Sequence, residues 1–289
     1  MSTENNYKHG SGKAVNPDGM ELFYQYWQSP EHRANLIITH GIGEHSGRYR
    51  HVVNFMQGKG VTIIAGDHQG HGLSAGKRGH VKQFHHFARD LEVIRQTTLS
   101  IQDNKPTFLL GHSLGGLIAI DHLINGPQDY YAGVIFSSPA FGINVPVPAW
   151  KYLLARILNF IMPSFTMANG INPDDLSRDR NEVEIYKKDE LVHDRISVSM
   201  FLTMLKVIDE VHKRAGEVTL PVLLMLGGND KVISTDEALK LYSLLGTVDK
   251  KQYICPISNH ELFNEIDRTH NLEEMWLWIN EKLAIRELS

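Results

Sequence analysis

The chain has 289 residues, 42% of them hydrophobic and 21% charged, with a formal net charge of −4 and a sequence pI near 6.5. That balance suits a globular protein with a sizeable core and argues against nucleic acid as a partner. The one cysteine, Cys255, excludes an internal disulfide, the polar start MSTENNYKHGSGK carries no apolar leader, and no run of 18 apolar residues occurs; the expectation is a cytoplasmic protein.

The elements follow in chain order. NPDG at 16–19 reads as a hairpin turn leading into an edge strand, MELFYQYW at 20–27. From 35 onward, short apolar runs bounded by Gly or Pro alternate with amphipathic stretches. NLIITH (35–40), VTIIAGD (61–67), PTFLLGH (106–112), YAGVIFS (131–137), PVLLMLG (221–227) and KQYICPI (251–257) read as buried strands. Helices are expected near 48–58, 84–102, 114–125, 235–245 and 271–285. This rhythm predicts an α/β fold with a mostly parallel central sheet and helices on both faces. It breaks between about 141 and 215, where SSPAFGINVPVPAW carries three prolines and no clear strand follows. The reading is one domain over 1–289 with a helical cap inserted at about 141–215.

Within the cap, AWKYLLARILNFIM (149–162) places Trp150, Leu153, Leu154, Ile157, Leu158 and Ile161 on one helical face. Such a face suits either a helix docked on its own core or a lid whose Leu154, Ile157 and Leu158 line an acyl tunnel and touch lipid.

Ser113 lies at the carboxyl end of a predicted strand, in Gly111-His112-Ser113-Leu114-Gly115. On a strand-turn-helix corner, glycines two residues to either side avoid collision with neighbouring backbone. The corner exposes a serine oxygen beside the first amides of a helix. A serine hydroxyl needs a histidine to take its proton, and the histidine needs a carboxylate to fix its tautomer. Among sixteen histidines, position decides: Asp230 follows PVLLMLGG and His260 follows KQYICPIS, each in a short loop just past a strand. The backbone N–H groups of Leu114, after the serine, and of Ile42, in the loop His40-Gly41-Ile42-Gly43, are the expected oxyanion donors. The HxxH of His68 and His71 is read as part of a glycine-rich loop bordering the site; no metal and no cofactor is expected.

With these residues in view, the chain resembles the α/β-hydrolases, and specifically the monoacylglycerol lipase and lysophospholipase group. The resemblance rests on HGIGEHSGRY (40–49), DHQGHGLSAGKRGHV (67–81), GHSLGG (111–116), GGNDKVI (227–233) and SNHELFNE (258–265), and spans residues 15–285. It implies Ser113, Asp230 and His260 as a catalytic triad, and hydrolysis of monoacylglycerol or a similar single-chain ester; peripheral membrane contact is the expectation from the apolar face of the cap helix. It also implies that Glu44 and Arg48 lie near the polar head of the substrate or brace the loop around it, and that Tyr186 reaches from the cap toward the site. Phe263 stands where the mammalian members carry a second histidine that helps hold glycerol. Lysophospholipids and other carboxylic esters therefore remain alternative substrates. A peptidase, a thioesterase and a non-catalytic binding protein on the same scaffold are the remaining readings.

Overall fold

The computed structural model describes residues 7–144 and 149–287. In chain order the strands are β1 (Lys8–Val15), β2 (Glu21–Gln28), β3 (Ala34–Thr39), β4 (Val61–Gly66), β5 (Thr107–His112), β6 (Tyr131–Ser137), β7 (Thr166–Ala168), β8 (Arg195–Ser197), β9 (Val222–Gly227) and β10 (Lys250–Cys255). The helices are α1 (Arg50–Met56), α2 (His85–Thr97), α3 (Leu99–Gln102), α4 (Leu114–Asn125), α5 (Ala149–Ile161), α6 (Arg180–Lys188), α7 (Val198–Arg214), α8 (Thr235–Leu244) and α9 (Arg268–Glu287). Among the described residues, eight strands form one sheet in the order β1-β2-β4-β3-β5-β6-β9-β10. β2 runs antiparallel to both its neighbours, and from β4 to β10 the pairing is parallel. This is the mostly parallel α/β sheet expected from the strand-helix rhythm, and the α/β-hydrolase fold that the resemblance implies.

Alternate residues of each central strand enter two separate cores. Ile37 and Leu109 pack with Phe87, Leu117 and Val207 on one face, from α2, α4 and α7. Leu36, Ile38, Phe108 and Leu110 pack with Val52, Met56, Met275 and Trp278 on the other, from α1 and α9. Burial on both faces is why these strands read as continuous apolar runs.

Four expectations are corrected. The strand at 251–257 is not buried throughout: β10 ends the sheet, and of its residues only Cys255 is buried. The strand at 20–27 is not at the edge, because β1 pairs with it along its whole length. β1 is polar and carries Gly10 and Gly12, the usual disguise of an exposed edge. The rings of Tyr26 and Tyr24 cover those glycines so closely that a Cβ would stand 2.4 and 2.6 Å from their atoms. The 84–102 helix breaks at Thr98, which caps the end of α2 and the start of the short α3. The 141–215 stretch contains strands, although only three residues each: β7 and β8 pair antiparallel. Its last helix, α7, buries Met200, Met204, Val207 and Val211 in the core. Among the described residues, no helix is long and apolar enough to cross a membrane.

Candidate active site

β5 ends at His112 and α4 starts at Leu114, so Ser113 alone makes the corner. Its backbone sits at φ 52° and ψ −118°, a region that costs a non-glycine residue about 1–3 kcal/mol. The surroundings over-determine it. Ser113 N–H donates to Ser137 O at 3.0 Å, and its carbonyl accepts from Gly116, Leu117 and Ala140 at 2.9, 3.4 and 2.9 Å. The flanking glycines let backbone meet backbone: a Cβ on Gly111 would stand 2.6 Å from Gly115 O, one on Gly115 2.0 Å from Thr39 O, and one on Gly116 2.5 Å from Pro139 Cβ.

Two further loops complete the group. Asp230 lies just past β9 and His260 just past β10. The loops interlock: Asn229 N–H donates to Ser258 O at 3.0 Å, and a Cβ on Gly227 would stand 2.0 Å from Asn259 O. That close approach explains the paired glycines before Asn229. His260 Nδ1 lies 2.7 Å from Asp230 Oδ2, while Asp230 Oδ1 accepts from the Val232 and Ile233 amides at 2.8 and 3.1 Å. The Asp230 carboxylate therefore fixes the Nδ1–H tautomer and leaves Nε2 as the acceptor. Burial works against protonation of His260, but Asp230, followed by Glu261 and Glu44, holds its pKa above the usual histidine value. Burial likewise opposes ionisation of Asp230, and His260 with the two amides keeps its pKa below the usual carboxylate value.

One cavity is lined by Ser113, His260, Ile42, Tyr186, Glu44 and Glu261, among others. The structure thus brings both expected acid-base groups and the Ile42 loop to the serine, and Leu114 begins the helix beside it. The first amides of a helix lack intrahelical acceptors and carry its positive end. Gly43 adopts φ 74° and its carbonyl accepts from His193 N–H of the cap at 2.9 Å, which ties the Ile42 loop from above.

Glu44 and Arg48 hold that loop from the side. Glu44 Oε1 accepts from Gly41 N–H at 2.6 Å and from the Tyr49 hydroxyl at 3.0 Å. Arg48 Nη1 donates to Glu44 at 3.0 Å, and its Nη1 and Nη2 grip Glu261 at 2.5 and 2.7 Å. The guanidinium also lies 4.6 Å from the centre of the Tyr186 ring. Glu44 thus lines the cavity, and Arg48 braces it through Glu44 and Glu261. Burial would raise the Glu261 pKa, but Arg48 pulls it down to about 2.

The sequence reading missed Glu261, and also Ile171 and Leu176, which line the cavity from the cap. A glutamate next to a loop histidine gives no local sign that it turns inward; the only cue is a buried arginine far away in sequence. Leu154 and Ile157 are exposed, Leu158 is half-buried, and none of the three lines the cavity at Ser113. Phe263 packs into the core beneath with Leu262 and borders an adjoining pocket.

The Hydrolase_4 family (serine aminopeptidase, S33) matches residues 30–267. The monoglyceride lipase of Homo sapiens is 33% identical over 275 residues, covering 93% of this chain and 90% of that protein. An uncharacterized abhydrolase domain-containing protein of Dictyostelium discoideum is 32% identical over 251 residues, 86% of this chain, and the chain spans 26% of that protein's length. The crystal structure of Paleococcus ferrophilus monoacylglycerol lipase aligns with a TM-score of 0.79 at 29% identity, covering 96% of this chain and 99% of that one.

Under the Ile42 loop lies a stack of imidazoles. The His40 and His68 ring centres are 4.0 Å apart, and His71 and His193 are 4.7 Å apart. His40 Nε2 accepts from His68 N–H at 3.0 Å, and its Nδ1–H donates to Gly41 O at 2.8 Å. Burial, then neighbouring rings, pushes the pKa of His40 and His71 well below 6.5, and burial takes His68 to about 4. Below pH 6.5 the unfolded chain binds protons at these rings and the folded chain does not. Stability should therefore fall as pH drops from there toward 4. His260, Asp90 and Asp121, whose pKa values are raised, act in the opposite sense, while His80, His86, His112, His122 and His193 are depressed like these three. The urea midpoint should fall between about pH 7 and about pH 4.5, and His68→Gln should flatten that slope. A midpoint independent of pH over this window would contradict the assignment of neutral buried rings.

Proposed function

The chain belongs to the serine aminopeptidase S33 family, and on that premise we propose that it is a serine hydrolase that cleaves monoacylglycerols to a fatty acid and glycerol. The observation that carries this reading is the 2.7 Å contact of His260 with Asp230, in a cavity that His260 shares with a serine strained to φ 52°. The kinship with monoglyceride lipases supports the substrate class.

The chemistry is acyl transfer in two halves. Ser113 Oγ attacks the ester carbonyl carbon while His260 Nε2 takes its proton. The carbonyl oxygen becomes an oxyanion that accepts from the Leu114 and Ile42 N–H groups, each such donor being worth about 10²–10³ in rate. The C–O bond to glycerol breaks, and His260 returns the proton to the departing alkoxide. Water then attacks acyl-Ser113, with His260 again as base, and releases the fatty acid. Asp230 keeps Nδ1–H in place and stabilises the imidazolium that forms twice per turnover.

The acyl chain and the membrane meet at the cap. On α5, Trp150, Leu153, Leu154, Ile157 and Ile161 are exposed, and Phe160 is 91% exposed. An apolar helical face left in water suits an interface helix that lies at the boundary of a lipid surface without crossing it. This reading keeps the protein peripheral, with chains entering beneath α5.

Ser113→Ala should cut kcat on a long-chain monoacylglycerol by about 10⁴–10⁶-fold with an unchanged melting temperature, and Asp230→Asn by about 10⁴-fold. In wild type, kcat/KM should fall as pH drops through an apparent pKa above the usual histidine value, since protonated His260 cannot accept from serine. Full activity in Asp230→Asn would remove that residue from the mechanism. On a substrate panel, monoacylglycerol should exceed triacylglycerol, and faster turnover of lysophosphatidylcholine would reassign the substrate.

For the cap, Leu154→Ser with Phe160→Ser should lower vesicle binding and turnover of aggregated long-chain lipid while sparing a soluble acetate ester, because each buried methylene is worth about 0.8 kcal/mol. Equal loss on both substrates, with a lowered melting temperature, would show that α5 serves only stability.

A further inference from the structure

The polar wall of the cavity has an uneven charge count. Three of its groups are formally charged: Glu44, Glu261 and Arg48, the last at the adjoining pocket that shares Glu44, His112 and Glu261 with the first. Burial, then the neighbouring His260, lowers the His112 pKa and keeps that ring neutral. His51, which lines the adjoining pocket, is paired with Glu182 at 2.9 Å. Two carboxylates against one guanidinium leave this wall one unit negative.

Both terminal nitrogens of Arg48 are also engaged. Nη1 is shared between Glu44 and Glu261, and Nη2 is held by Glu261. An anion seeking a bidentate arginine would have to displace Glu261, whose Oε2 also accepts from Asn264 at 2.9 Å and whose backbone N–H is anchored to Leu176 O at 2.8 Å. A hydrocarbon chain cannot solvate buried carboxylates, so the polar part of a substrate belongs against this wall. Glu261 is what turns an otherwise neutral Glu44–Arg48 pair into an anionic wall and closes the arginine to ligands.

We propose that Glu261 is a specificity-determining residue: by occupying Arg48 and leaving the alcohol side of the cavity one unit negative, it admits uncharged polyols as leaving groups and rejects phosphate-bearing ones. This rests on the reading of Ser113 and His260 as the reacting pair. Removing the Glu261 charge frees Arg48 Nη2 and brings the wall to neutrality. Removing Arg48 as well returns the wall to one negative charge, now on Glu44, so charge is separated from packing.

The test measures kcat/KM for 1-acylglycerol and for 1-acylglycerol 3-phosphate, the same chain with and without the anion, in wild type, Glu261→Gln and Arg48→Gln/Glu261→Gln. The anionic-to-neutral ratio should rise about tenfold or more in Glu261→Gln, since a unit charge a few ångströms away is removed. It should fall back toward the wild-type ratio in the double variant. A ratio in Glu261→Gln that stays within about twofold of wild type, with neutral ester still cleaved, overturns the inference. So does a ratio that stays high in the double variant. A second measurement needs no variant: wild-type enzyme turning over a nitrophenyl ester should pass its acyl group to added glycerol and not to glycerol 3-phosphate. Equal transfer to both overturns the inference. Wild type that cleaves no neutral monoacylglycerol sinks the underlying functional reading, and this inference with it.

Discussion

Ser113 is held at φ 52° by four backbone hydrogen bonds, and the rest of the site is arranged around that one strained residue. The strain needs a strand ending at the same level as its neighbours, so that Ser137 and Ala140 can reach it. It needs α4 to begin at once, so that Gly116 and Leu117 can close on its carbonyl. It also needs Gly115 to lie against Thr39 at the end of β3, which sets the Ile42 loop beside the same corner. A parallel sheet with its strand ends in register supplies all three conditions together.

The loops around the corner are fixed by buried charge and by neutral imidazole. Glu44 holds the Gly41 amide, Arg48 holds Glu44, and Glu261 holds Arg48, so the segment after β3 is tied to the residue next to His260. The His40–His68 stack supports the segment from below, and His193 clamps it from the cap. Each of these groups is costly to bury alone, and each has its partners. Such a network ties the two sides of the cavity together.

What could be read from sequence was what local pattern encodes. The strand run before Ser113, the glycines around it and the helix after it are consecutive, so the corner is visible in six residues. Asp230 and His260 were accessible because each follows a strand run by a fixed short distance. β1 was hidden because its glycines are completed by tyrosines from β2, a contact that periodicity within one segment cannot reveal. β7 and β8 are too short to show alternation. For α5, spacing groups Leu154, Ile157 and Leu158 on one face but does not say where that face points, and the structure leaves Leu154 and Ile157 outward. Glu261 needed the fold itself, since its partner Arg48 lies 213 residues away in sequence.

The central claim is that Ser113 is the nucleophile. Its most direct test is peptide mass mapping of the wild-type chain after stoichiometric treatment with a long-chain alkyl fluorophosphonate, alongside residual hydrolysis. The account predicts one phosphonyl adduct, on the peptide that contains Ser113, and loss of hydrolysis in proportion to labelling. An adduct on another residue that tracks inactivation, or full hydrolysis by a chain labelled at Ser113, would contradict it.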